Sequence, residues 1–236
     1  MGLLEGFTEE EIRRARAAYY GLVTFLDERI GMVLRALKDS GLAENTVVVY
    51  TSDHGEMAGE HGMWCKHAFY EAAVRVPLLV SWPGHIDPGR RVSQVTSLLD
   101  LVRTFLTIAG AEAEDLDGAD LLNVLEGRAA EGEGLAIAEF TAHGTDRPSR
   151  MIRRGRFKLN HYLEQPVELY DLDADPNEFN DLAGHPAYTQ VQGELTEQLL
   201  TGWDPIDIDQ KVRESQHRRG VMLRGNVEPD RRWTHV

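Results

Sequence analysis

One cysteine in 236 residues is too few for an internal disulfide, so Cys65 is a free thiol and no covalent staple sets the fold. No apolar run approaches the roughly 18–20 residues of a membrane span. Basic residues are scarce: 25 Lys and Arg against 39 Asp and Glu leave a formal net charge of -14, which argues against a nucleic-acid binder. The same acidity repels an anionic substrate, so a pocket for one has to be locally positive. The chain has no glycine-rich Walker-type loop, no CxxC pair and no internal repeat. Its polar, acidic N-terminus does not read as a signal peptide. The expected location is cytoplasmic, or periplasmic where a longer N-terminus carries a leader.

What is present is a globular composition, with 42% hydrophobic residues, and length enough for one large domain or one plus a small appendage. Thr8-Glu9-Glu10-Glu11 has the form of a capping box. Apolar residues then recur every three or four positions from Ile12 to Leu37, with Gly41 as C-cap. This predicts a helix on the order of 45 Å long. Strands are predicted at about 46–51 and 77–82, and a helix at about 97–109. That alternation of strands and helices suggests an α/β fold, a partial doubly wound sheet with flanking helices. Residues 111–134 read mostly as loop, with a short helix near Leu121–Leu125. Short segments near 135–141, 149–154, 156–161 and 167–171 predict a small C-terminal antiparallel sheet, packed by a helix over about 188–200. The polar, Arg-rich tail from Gln210 reads as a surface helix or arm. These elements divide the chain into 1–134, part of an α/β domain, and 135–236, a small α+β subdomain with the tail.

The chemistry concentrates at the end of the first strand. Thr46-Val47-Val48-Val49-Tyr50-Thr51 runs into Ser52-Asp53-His54-Gly55-Glu56. In open α/β sheets ligands bind at carboxyl ends of strands. A carboxylate with an imidazole is half of a site for a divalent metal. Downstream, Gly59-Glu60-His61-Gly62-Met63-Trp64-Cys65-Lys66-His67 forms a loop able to fold over the strand end. There Lys66 can reach an anion held by the metal, as a compact point charge suits a tetrahedral oxyanion.

Three separated blocks carry a family resemblance: "YYGLVTFLDERIGMVLRALKDSGLAENT", "VVVYTSDHGEMAGEHGMW" with "KHAFYEAAVRVPLLVSWPG", and "VELYDLDADPNE". Together they resemble the C-terminal portion of the sulfatase family, within the alkaline-phosphatase-like superfamily, nearest to choline sulfatases and phosphonate monoesterases. The resemblance implies Asp53 and His54 as metal ligands, Lys66 as the residue on the sulfuryl group and its leaving oxygen, and Glu71 and Arg75 as supports of loop and strand. His61 and His67 read first as structural, with His61 also able to line the pocket and bind substrate. The implied metal is Ca²⁺, with Mn²⁺ or Mg²⁺ as alternatives, and the implied substrate is a small-molecule sulfate ester.

The family's nucleophile is a formylglycine made from Cys-x-Pro/Ala-x-Arg. Cys65 sits in Cys-Lys-His-Ala-Phe and is not that residue. The nucleophile and the first-strand aspartates are therefore expected in a missing N-terminal half or a companion chain. Without them the isolated chain is expected to be inactive, to bind metal weakly, and to expose an apolar face or sheet edge prone to self-association as a homo-oligomer. The alternatives are a phosphodiester or phosphonate ester hydrolase of the same superfamily, and a non-catalytic fragment that binds or oligomerises.

Overall fold

A computed structural model describes residues 2–3, 6–111, 115–141, 145 and 147–225. Helix α1 spans Glu9–Asp39. Its start is the reciprocal capping box: the Thr8 side chain accepts from the Glu11 N–H at 3.3 Å, and the Glu11 carboxylate accepts from the Thr8 N–H at 2.8 Å. Gly41 follows in the left-handed conformation, φ +74°. No α1 residue is buried; Tyr20, Leu22, Phe25 and Val33 are each exposed by more than half. The helix is tied back through Arg16, whose Nε donates to the Ala58 carbonyl at 2.5 Å.

Strand β1 (Gly2–Leu3) pairs antiparallel with β3 (Met63–Trp64). Strand β2 (Val48–Thr51) pairs with β4 (Leu78–Ser81), from Val48 opposite Ser81 to Thr51 opposite Leu78. The α/β class stands, but these two strands run antiparallel. The strand–helix alternation did not reveal this sense. Between β2 and β4 the only α-helix is α2, Glu71–Val74, too short for the crossover that parallel neighbours need. The rest of the connection is the loop that carries Lys66.

Helix α3 (Leu98–Ile108) starts on a second capping box, Ser97 with Asp100. A short α4 (Leu122–Leu125) follows at its expected place. Strands β5 (Leu135–Phe140), β6 (Ser149–Arg154), β7 (Phe157–Tyr162) and β8 (Glu168–Asp171) form one antiparallel sheet in sequence order. Helix α5 (Thr189–Leu200) covers one face. There Ile152, Leu159 and Leu169 bury completely against Leu195 and Leu199. This is the antiparallel sheet with a packed helix that the sequence predicts.

The opposite face of the sheet is also covered. Side chains alternate across a strand, so Met151, Arg153, Lys158, Asn160, Tyr162 and Tyr170 share it. Met151, Lys158, Asn160 and Tyr170 are each no more than 4% exposed. The segment between β2 and β4 packs on this face, where Phe69 meets Lys158 and Tyr162, Tyr70 meets Tyr170, and Glu71 meets Arg153 and Lys158. The tail forms α6 (Pro205–Gly225). Among the described residues no helix is long and apolar enough to cross a membrane.

Candidate functional site

The tip of β2 brings three predicted residues together. His54 Nδ1 lies 2.8 Å from the Gly55 carbonyl. A carbonyl only accepts, so Nδ1 carries the proton and Nε2 keeps its lone pair. The Lys66 ammonium donates to that Nε2 at 2.6 Å. Asp53 Oδ2 stands 3.5 Å from the same nitrogen. Asp53 is largely exposed, and its Oδ1 accepts from the His54 N–H at 3.0 Å. Desolvation is the largest single influence and opposes its charge, but His54, the backbone bonds and Lys66 together outweigh it and hold the carboxyl below the usual range.

Local sequence explains the turn. Gly55 donates its N–H to the Ala73 carbonyl at 2.7 Å, and a Cβ there would stand 2.0 Å from the Ala72 carbonyl oxygen. Gly55→Ala is expected to push α2 off the strand end and cost about 1–3 kcal/mol. Urea unfolding reads this; an unchanged midpoint would mean that the close approach carries no constraint.

The loop then holds itself. Glu56 Oε1 accepts from the N–H groups of Ala58, at 3.2 Å, and Cys65, at 2.6 Å. Met57, fully buried, donates to the Cys65 carbonyl at 2.8 Å. Ala58, His61 and Cys65 all have positive φ, 48°, 47° and 68°, a conformation that L-residues adopt only under constraint. Cys65 is exposed and free.

His61 is placed elsewhere. Its ring stacks on Tyr70 with centroids 3.7 Å apart, and Nε2 lies 2.9 Å from the Asn177 carbonyl. This ties the loop to the C-terminal subdomain. His67 sets its ring edge-on to Phe140, centroids 5.8 Å apart. Glu71 bonds Arg153 at 2.7 Å and Lys158 at 3.3 Å. Arg75 is exposed and caps α2 through its backbone N–H, bonded to the Glu71 carbonyl at 2.9 Å.

Sequence reasoning missed Lys158 and Glu178. The Lys158 ammonium is fully buried; it donates to the Phe69 carbonyl at 2.6 Å and contacts both Glu71 and Glu178. Glu178 accepts from the Glu71 N–H at 2.6 Å. Burial pushes the Glu178 carboxyl above its ordinary range, and Lys158 offsets this only in part. The available signal was a lysine and an asparagine alternating with Phe157 and Leu159 in β7, which in an isolated sheet marks a solvent face.

Among the described residues no group of three or more His, Cys, Asp or Glu could hold a metal. Asp53 and His54 thus offer two donors, an anionic oxygen and an imidazole lone pair, which fits part of a divalent-cation shell.

Residues 59–203 match a family model described as N-sulphoglucosamine sulphohydrolase, C-terminal, and residues 4–111 match one described as Sulfatase. A choline-sulfatase of Rhizobium meliloti is 36% identical over 222 residues, covering 91% of this chain and 43% of that protein. Mouse arylsulfatase K is 38% identical over 233 residues, 94% of this chain and 41% of its own length. The solved phosphonate monoester hydrolase of Agrobacterium radiobacter superposes with a TM-score of 0.74 at 32% identity, over 83% of this chain and 42% of that one. The chain thus spans about two fifths of each of these relatives.

Proposed function

Because the chain belongs to the sulfatase family, we propose that it is the C-terminal portion of a metal-dependent sulfuric-ester hydrolase. The observation that carries this reading is the convergence of Lys66, His54 and Asp53 at one strand tip. Asp53, together with His54 once its Nε2 lone pair is released from Lys66, would hold one side of a divalent cation, Ca²⁺ in the first instance and Mn²⁺ or Mg²⁺ as alternatives. When bound, that cation offsets charge on the sulfuryl oxygens. Lys66 supplies a positive charge to the bridging oxygen as the ester bond breaks, a contribution that grows toward the transition state. The locally basic Lys66 also answers the problem posed by the chain's net charge of -14. The formylglycine nucleophile and the remaining ligands belong to a portion or companion chain carrying Cys-x-Pro/Ala-x-Arg, a motif that this sequence does not contain.

The test is complementation. The chain alone is expected to turn over neither 4-nitrophenyl sulfate nor a phenyl phosphonate monoester. Mixed or co-expressed with a polypeptide bearing the motif, it is expected to hydrolyse the sulfate. Turnover by the isolated chain would show that the nucleophile has been misplaced. Faster turnover of the phosphonate would favour the second reading, a phosphonate ester hydrolase, which the fold similarity to the Agrobacterium enzyme supports.

Calcium affinity follows from the donor count. Two side chains are far short of the 6–8 oxygens calcium takes, so calorimetric titration of the isolated chain is expected to show weak binding, abolished by Asp53→Asn. Tight binding by the chain alone would overturn the assignment of the other ligands to the absent portion.

A further inference from the structure

We propose that Lys158 and the segment 177–179 are positioning elements for Lys66, gripping its loop from the C-terminal sheet. The proposal rests on the reading of Lys66 as the sulfuryl-binding group. Lys66 is held between two sets of bonds. Before it, Glu56 fixes the Cys65 N–H at 2.6 Å. After it, the Lys158 ammonium takes the Phe69 carbonyl at 2.6 Å, and Glu178 takes the Glu71 N–H at 2.6 Å. Both later bonds go to loop backbone, so they fix the path of the chain on either side of Tyr70. Asn177 adds the tie to His61 at 2.9 Å, and the Phe179 ring lies 4.9 Å from the His61 ring.

The charges in the grip balance. Lys158 and Arg153 face Glu71 and Glu178. Replacing a buried ion pair with apolar residues of similar volume is often neutral or stabilising. Stability is therefore a weak reason for this arrangement. What an apolar pair cannot do is hold one particular carbonyl and one particular N–H of the loop. Glu178 itself adopts φ +58°, a conformation costing about 1 kcal/mol or more, and in it the carboxylate reaches Glu71.

Hydrogen exchange on the full chain tests this without turnover. In Glu178→Gln, amides over 57–71 are expected to exchange about tenfold faster or more, while paired amides of β6 and β7 stay within about twofold of wild type. Leu199→Ala, in the core on the sheet's other face, is expected to speed both regions by a common factor. His61→Ala cuts the Asn177 tie and leaves the charges intact, so it serves if Glu178→Gln does not fold, with the same local pattern expected around 58–64. Acceleration in the Leu199→Ala ratio, or none over 57–71, overturns the proposal. In the complemented enzyme, Glu178→Gln is expected to lower kcat when Lys66 is present and to add no loss to Lys66→Ala. Two full, additive losses would also overturn it. If Lys66→Ala itself changes nothing, the reading of Lys66 falls while the exchange pattern stands.

Discussion

Lys158→Met is expected to destabilise the chain by about 3–5 kcal/mol, the loss typical of removing one partner from a buried ion pair. Against a total stability of roughly 5–15 kcal/mol, that brings the protein close to unfolding. The cause is specific. The ammonium is fully buried and touches the carboxylates of Glu71 and Glu178 and the Phe69 carbonyl. Methionine fills the same slot but leaves two carboxylates facing each other, with Arg153, among the described residues, to offset Glu71. Adding Glu178→Gln to Lys158→Met removes one of those charges, and the double variant is expected to regain a substantial part of the loss. Denaturant midpoints decide the matter. A single variant as stable as wild type would mean that the cluster is not dry enough for its charges to count.

The same cluster sets a pH dependence. Burial raises the Glu178 carboxyl above its ordinary value of 4.5, so the folded chain binds this proton more tightly than the unfolded one. Its contribution to stability is full below about pH 4.5 and is lost as pH rises through the elevated folded value. Glu178→Gln is expected to lack this slope. In Lys158→Met the slope is expected to steepen, because Lys158, the cation in direct contact that lowers the Glu178 value, is gone.

Lys66→Ala in the complemented enzyme is expected to lower kcat by about 10²–10³, the effect of removing one preorganised donor at a developing charge, with KM changed far less. Lys66→Arg is expected to restore little, since a planar fork does not replace a compact ammonium seated 2.6 Å from an imidazole nitrogen. A loss confined to KM would make Lys66 a ground-state binder and remove it from the chemistry.

The open face of α1 has its own consequence. Apolar side chains such as Leu22, Phe25 and Val33 stand in solvent, and surfaces of this kind mark sites that another polypeptide covers. Sedimentation of the isolated chain is expected to show concentration-dependent self-association that the complementing polypeptide suppresses.

Local chemistry alone was enough for much of this protein. Thr8 and Glu11 announced the start of α1, because a capping box is written in adjacent residues. The four C-terminal strands and α5 followed from alternation and turn residues. Asp53, His54 and Lys66 stood out by residue type and by their order after a strand, and the structure brings the three side chains together. Tertiary structure decided what depends on the far side of a contact. The antiparallel sense of β2 and β4 is set by where a long loop returns, which no local period records. Lys158 and Asn160 alternate with apolar neighbours as solvent-facing residues do, yet both are buried. Alternation tells which residues share a face, and only the packing of the Lys66 loop against that face determines that it is dry.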